Sequence, residues 1–94
     1  MLVVRNTFTA KPGHAGKLLA QMKEMVSVGD LRNCRFYTDL SGDFNTVIME
    51  HEVDSLAEFE EIMERYRTDP AVREKAAGYT DHWTTGTRQL FKVE

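Results

Sequence analysis

A chain of 94 residues is short enough to form one domain, residues 1–94, and to bury only a modest core. Its 15 acidic and 12 scattered basic residues give a net charge of −3, which excludes the basic footprint of a nucleic-acid binder. A lone cysteine, no signal-peptide pattern and no apolar run of about 18 residues leave a cytoplasmic protein without internal disulfide or membrane span as the expectation.

Residues 2–10 read as a first strand. Leu2, Val4, Phe8 and Ala10 share one face, with Asn6 the polar intruder on it, and Val3, Arg5, Thr7 and Thr9 take the other. Lys11-Pro12-Gly13 breaks the strand, because proline has no N–H to donate and glycine frees the turn. Ala15, Leu18, Leu19, Met22, Met25 and Val26 then mark the apolar face of a first helix. Gly29-Asp30 is expected to end it, with Gly29 in the left-handed cap that glycine tolerates best. Residues 34–38 form a second, short strand, and the Ser41-Gly42-Asp43 turn predicts an antiparallel hairpin with a third strand over residues 44–53. On that third strand Val47, Met49, His51 and Val53 share a face opposite Glu50 and Glu52.

Ser55-Leu56-Ala57-Glu58 has the S-x-x-E form of a capping box. Leu56, Phe59, Ile62, Met63 and Tyr66 follow at three- and four-residue spacing, which places them on the buried face of a second helix. Glu58, Glu60, Glu61 and Glu64 fall on its wet side. Asp69-Pro70 opens a short helix over residues 71–77 that stops at Gly78. Residues 83–93 are the last strand, with Gly86 marking a bulge or a point of close contact. This order, β-α-β-β-α-β with an extra helical turn, is the ferredoxin-like α+β plan: one antiparallel sheet with its helices on a single face. The opposite face would stay open in one chain, so the expected partner is a second copy in a homodimer.

The landmarks Val3 to Gly13, Ser55 to Glu61, Thr68-Asp69-Pro70 and Gly86 to Phe91 make the chain resemble the dimeric α+β barrel superfamily, in particular its antibiotic-biosynthesis-monooxygenase-like group. The resemblance implies a homodimeric barrel with a pocket between sheet and helices in each subunit. It implies two chemistries. Cofactor-free quinone-forming monooxygenases hold a phenolic substrate with an Asn, Trp and Arg group. Haem-degrading members use a first-strand Asn, a Trp near the second helix and a late His; Asn6 matches the first, whereas Val53 and Lys75 stand near the other two.

The candidate catalytic residues are Asn6, His51, His82 and Trp83. Asn6 on an apolar face needs a partner, either a ligand or a neighbouring backbone group or water. His51 titrates near working pH and is a candidate general base, although its place near a strand end favours a solvated rim residue. His82, Trp83 and Tyr79 would cover a pocket mouth, Trp83 stacking on an aromatic ligand or else filling a gap between helix and sheet. Phe8, Met22, Met25, Phe36, Met49, Phe59, Met63 and Tyr66 are candidate lining for a small aromatic or hydrophobic ligand, and Arg88 is a candidate hold for an anionic group. His14 is expected in solvent. No metal-ligand spacing or phosphate-binding loop calls for a cofactor. The expected function is a cofactor-independent monooxygenase-like enzyme acting on a small aromatic compound; the alternative is a non-catalytic dimeric ligand-binding or accessory protein.

Overall fold

A computed structural model describes residues 1–94. The chain runs β1 (Leu2–Ala10), α1 (Ala15–Gly29), β2 (Arg32–Thr38), β3 (Thr46–Val53), α2 (Leu56–Thr68), α3 (Pro70–Ala76), a 3-10 turn (Tyr79–His82) and β4 (Trp83–Lys92). The four strands form one antiparallel sheet in the order β2-β3-β1-β4, the ferredoxin-like arrangement. β1 is central, with Asn6 paired to Met49 on β3 and to Arg88 on β4.

The helices cover the face that carries Val4, Asn6, Phe8 and Ala10. Buried residues form two clusters there. Ala10, Leu18, Met22 and Val47 make one, and Val4, Val53 and Ile62 make the other. Along β1, Asn6 stands between the residues of the two clusters, and along β3 His51 does the same. Two polar side chains thus interrupt an otherwise continuous core. The opposite face carries Val3, Thr7, Ile48, Tyr37 and Phe91 around an Arg5–Glu50 ion pair of 2.5 Å, with Tyr37 and Phe91 each 40% exposed. The Arg5 guanidinium also lies 5.0 Å from the Phe91 ring centre.

Local chemistry sets the element ends. The Ser55 hydroxyl accepts from Glu58 N–H at 3.1 Å, and the Glu58 carboxylate accepts from Asp54 N–H at 2.8 Å, so the cap works with its return bond shifted by one residue. Asp69 caps α3 through Ala71 N–H at 2.9 Å, with Pro70 at the first helical position. Gly78 takes the left-handed conformation just past α3, at φ 79°.

Four expectations change. β3 starts at Thr46 rather than residue 44, because Asn45 turns left-handed at φ 63° and leaves Phe44 84% exposed in the hairpin. β2 starts at Arg32, ahead of residue 34, through a register shift at a left-handed Asn33. Leu56 does not join the buried face of α2 but stands 62% exposed in its first turn. Gly29 is not the left-handed cap of α1; Asp30 takes that conformation at φ 55°. Gly29 is instead the last helical residue, and it lets α2 approach. A Cβ there would overlap the hydroxyl and ring of Tyr66.

Gly29→Ala is therefore expected to destabilise the protein by about 1–3 kcal/mol, the usual cost of overpacking. A fall of several degrees in the thermal midpoint checks it; an unchanged midpoint would mean that Tyr66 can swing aside freely.

Candidate functional site

The interruption of the core by Asn6 and His51 opens a cavity of about 160 Å³ between sheet and helices. Its apolar wall comes from Met22, Met25 and Val26 of α1 and from Ile62, Met63 and Tyr66 of α2, with Phe8 and Met49 rising from the sheet. Methionine side chains bend to fit what they contact, so this wall suits a flat apolar body without fixing its outline. The polar groups converge from three strands: Asn6 on β1, His51 on β3 and Arg88 on β4.

Asn6 is 4% exposed, and its Oδ1 accepts a hydrogen bond from Arg88 Nε at 2.8 Å. The strand register puts the two residues opposite each other, so this bond follows directly from sheet pairing. The Arg88 guanidinium also sits 5.9 Å from the ring centre of Phe59. Arg88 as a residue remains exposed, and it forms no salt bridge.

His51 overturns the rim expectation. It is 1% exposed, and neither ring nitrogen has a protein partner. The β3 end lies beneath α2 rather than at a free rim, which explains the burial. Desolvation, with Arg88 nearby, holds its pKa below the ordinary histidine value, against the opposing charge of Glu58. His51 is thus a neutral imidazole facing the cavity at pH 7, able to accept a proton or a hydrogen bond. Tyr66 also lines the cavity; its hydroxyl, which lies against Gly29, has no partner, and burial pushes its pKa up to about 12. It stays protonated.

The remaining candidates lie elsewhere. Trp83 does not line this cavity. It packs edge-on against Phe8 with ring centres 5.2 Å apart, and lines an adjoining recess of about 250 Å³ with Gly86 and Thr87. Asn6, Phe8, Tyr79 and Arg88 form the wall common to both spaces. Gly86 is the expected close-contact point: an added Cβ would stand 3.1 Å from Phe8 and 3.3 Å from Trp83. His82 turns away, its Nδ1 3.0 Å from Nδ1 of His14, so one ring donates and the other accepts. His14 is half-buried rather than in solvent, and this pair ties the β1–α1 loop to the 3-10 turn. Phe36 packs on the Ala10–Leu18 cluster and Phe59 on the Val4–Val53 cluster, both outside the cavity lining. Met25 and Met49 line the cavity as their place with Met22 and Met63 suggested, whereas the lining roles of Val26 and Leu31 were not expected; the four-residue spacing of Met22 and Val26 on α1 was the available signal. Cys34 is a half-buried thiol whose pKa burial raises to about 11, which leaves it unreactive. No cluster of three or more metal-ligating side chains is present.

Because folding lowers the proton affinity of His51, the unfolded chain binds more protons in acid. The stability contributed by a neutral His51 is complete above the ordinary value of 6.5 and is lost as pH falls below it. Denaturant unfolding between about pH 7.5 and 5.5 is expected to show this loss, and the slope should flatten in His51→Leu.

No protein-family model matches the chain, and no curated protein matches its sequence. Solved structures do. A NIPSNAP family protein of unknown function from Agrobacterium tumefaciens superposes with a TM-score of 0.89 at 18% identity, over 99% of this chain and 87% of that one. An uncharacterized NIPSNAP domain protein from Burkholderia xenovorans gives 0.87 at 18% identity, over 100% and 95%. A structure described as an antibiotic biosynthesis monooxygenase gives 0.73 at 17% identity, over 100% and 99%. At such identities the likeness is one of fold: this chain has a ferredoxin-like α+β fold, which it shares with NIPSNAP proteins and with a structure described as an antibiotic biosynthesis monooxygenase.

Proposed function

We propose that the protein is a homodimeric, cofactor-independent monooxygenase-like enzyme that acts on a small aromatic compound in the cavity beside Asn6 and His51. The observation that carries this reading is the neutral, unpartnered His51 on the wall of an apolar cavity. A cavity of about 150 Å³ takes up benzene, so about 160 Å³ suits a single substituted ring. His51 would accept the proton of a phenolic hydroxyl, and the Arg88 cation would favour the negative charge left on the ring. A phenol with a free ring position and one molecule of dioxygen give a quinone and one molecule of water. That balance needs no added reductant. The monooxygenase named among the structural neighbours supports the same direction.

The homodimer is supported by the sheet face without helices, where Tyr37, Phe91, Val3 and Ile48 surround one ion pair. A face-to-face pair would be expected to bury on the order of 1,600 Å² in total. The second reading, a ligand-binding protein without catalysis, draws on one observation: Trp83 stands in the adjoining recess and leaves the cavity without an indole to stack on a ring.

Dioxygen consumption across a panel of phenols is expected to separate the two readings. Turnover that falls by roughly 10²–10⁴ in His51→Ala supports general-base catalysis. Binding without turnover would leave the accessory protein. Sedimentation is expected to give a dimer at micromolar concentration, and a folded monomer under those conditions would remove the barrel.

A further inference from the structure

We infer that the aromatic ligand carries a carboxylate, held at the cavity mouth by the Arg88 guanidinium. This rests on the reading of the cavity as a site for one small ring, and adds the chemical class of that ring. The first ground is charge. The chain has 15 acidic residues, yet none lines the cavity or the adjoining recess, the two spaces that Arg88 borders. Arg5, Arg32 and Arg67 find carboxylates in Glu50, Glu58 with Asp54, and Glu64; of the arginines without an ion pair, Arg35, Arg65, Arg73 and Arg88, only Arg88 lines the cavity. Arg88 has an amide instead. It is a fixed cation beside an apolar space, in a protein whose net charge is negative.

The second ground is direction. Asn6 Oδ1 takes the Nε–H of Arg88, which leaves the two terminal nitrogens of the guanidinium for another partner. Those two nitrogens form the planar fork that matches the two oxygens of a carboxylate. The bond from a buried amide on the central strand also fixes the orientation of the fork before any ligand arrives, so little side-chain freedom is lost on binding.

The third ground is the gradient along the cavity. Arg88 is exposed, whereas His51 is 1% exposed with both ring nitrogens unpartnered. A ring that enters with its carboxylate outermost keeps that charge partly hydrated and avoids the cost of burying an ion pair. Its body meets the methionines, and a hydroxyl or carbonyl on the ring can satisfy His51. The reverse orientation would bury the anion and leave the ring at the mouth. The site therefore selects amphipathic ligands with one charged end.

The test compares benzoate with benzamide, which has the same shape and no charge, by calorimetric titration near pH 7. Benzoate is expected to bind at least about tenfold more tightly to the unaltered protein, the scale of a charge-assisted fork. Arg88→Gln should bring benzoate down to the level of benzamide, with a much smaller loss for benzamide itself. Arg88→Lys should recover part of the preference, since it keeps the charge and loses the fork. Equal affinities for the two probes, or an equal loss of both in Arg88→Gln, would overturn the carboxylate and leave the single-ring cavity standing. Acetate binding as well as benzoate would also overturn it, by showing an anion site that ignores the ring. Failure of both ring compounds to bind at millimolar concentration would overturn the cavity reading as well.

Discussion

Strand β1 is hydrogen-bonded along both edges, and the rest of the molecule takes its geometry from that constraint. A strand held on two sides cannot slip by one residue without sending every side chain to the opposite face. Its alternation is therefore fixed: Val4, Asn6, Phe8 and Ala10 lie beneath the helices, and Val3, Arg5, Thr7 and Thr9 lie on the open side. The same register brings Arg88 opposite Asn6 and Met49 opposite it on the other edge. The polar corner of the cavity is thus a product of sheet pairing, and helix packing supplies only its apolar wall.

That division explains why the core falls into two clusters. A single amide at the centre of the sheet, with an imidazole one strand away, keeps apolar side chains from closing over the middle. Leucine at both places would be expected to join the clusters and fill the space. Isolated polar groups on a buried face are costly unless they find partners. Asn6 has one in Arg88. His51 has none in the protein.

Much of this was legible in the chain itself. Period-two alternation named both faces of β1, three- and four-residue spacing named the buried faces of α1 and α2, and the Ser55 and Asp69 caps marked where helices start. Asn6 stood out because it breaks an apolar face. What escaped was whatever depends on the distance between elements remote in sequence. Nothing near Gly29 announces that Tyr66, thirty-seven positions later, will press against it. The burial of His51 depends on how α2 crosses β3, and two flanking glutamates made the strand end look wet. Chain proximity to Tyr79 left two places open for Trp83, the ligand space or the gap between helix and sheet. A bulge where Ala10 pairs with Trp83 puts the indole behind Phe8 instead.

The irregular start of β2 bears on how copies of this protein meet. A regular edge strand offers a row of free N–H and C=O groups to any passing strand, and sheets can then grow into aggregates. Here the left-handed Asn33 inserts an extra residue between Arg32 and Arg35, and its side chain folds back to Glu52 at 2.9 Å. Arg32 is drawn away to Glu58 on α2 at 2.8 Å. The first half of that edge is therefore bent, charged and turned inward on itself, a poor template for strand addition. Edge-to-edge pairing between copies is thereby disfavoured along this border, and the sheet does not extend itself into a growing ribbon there.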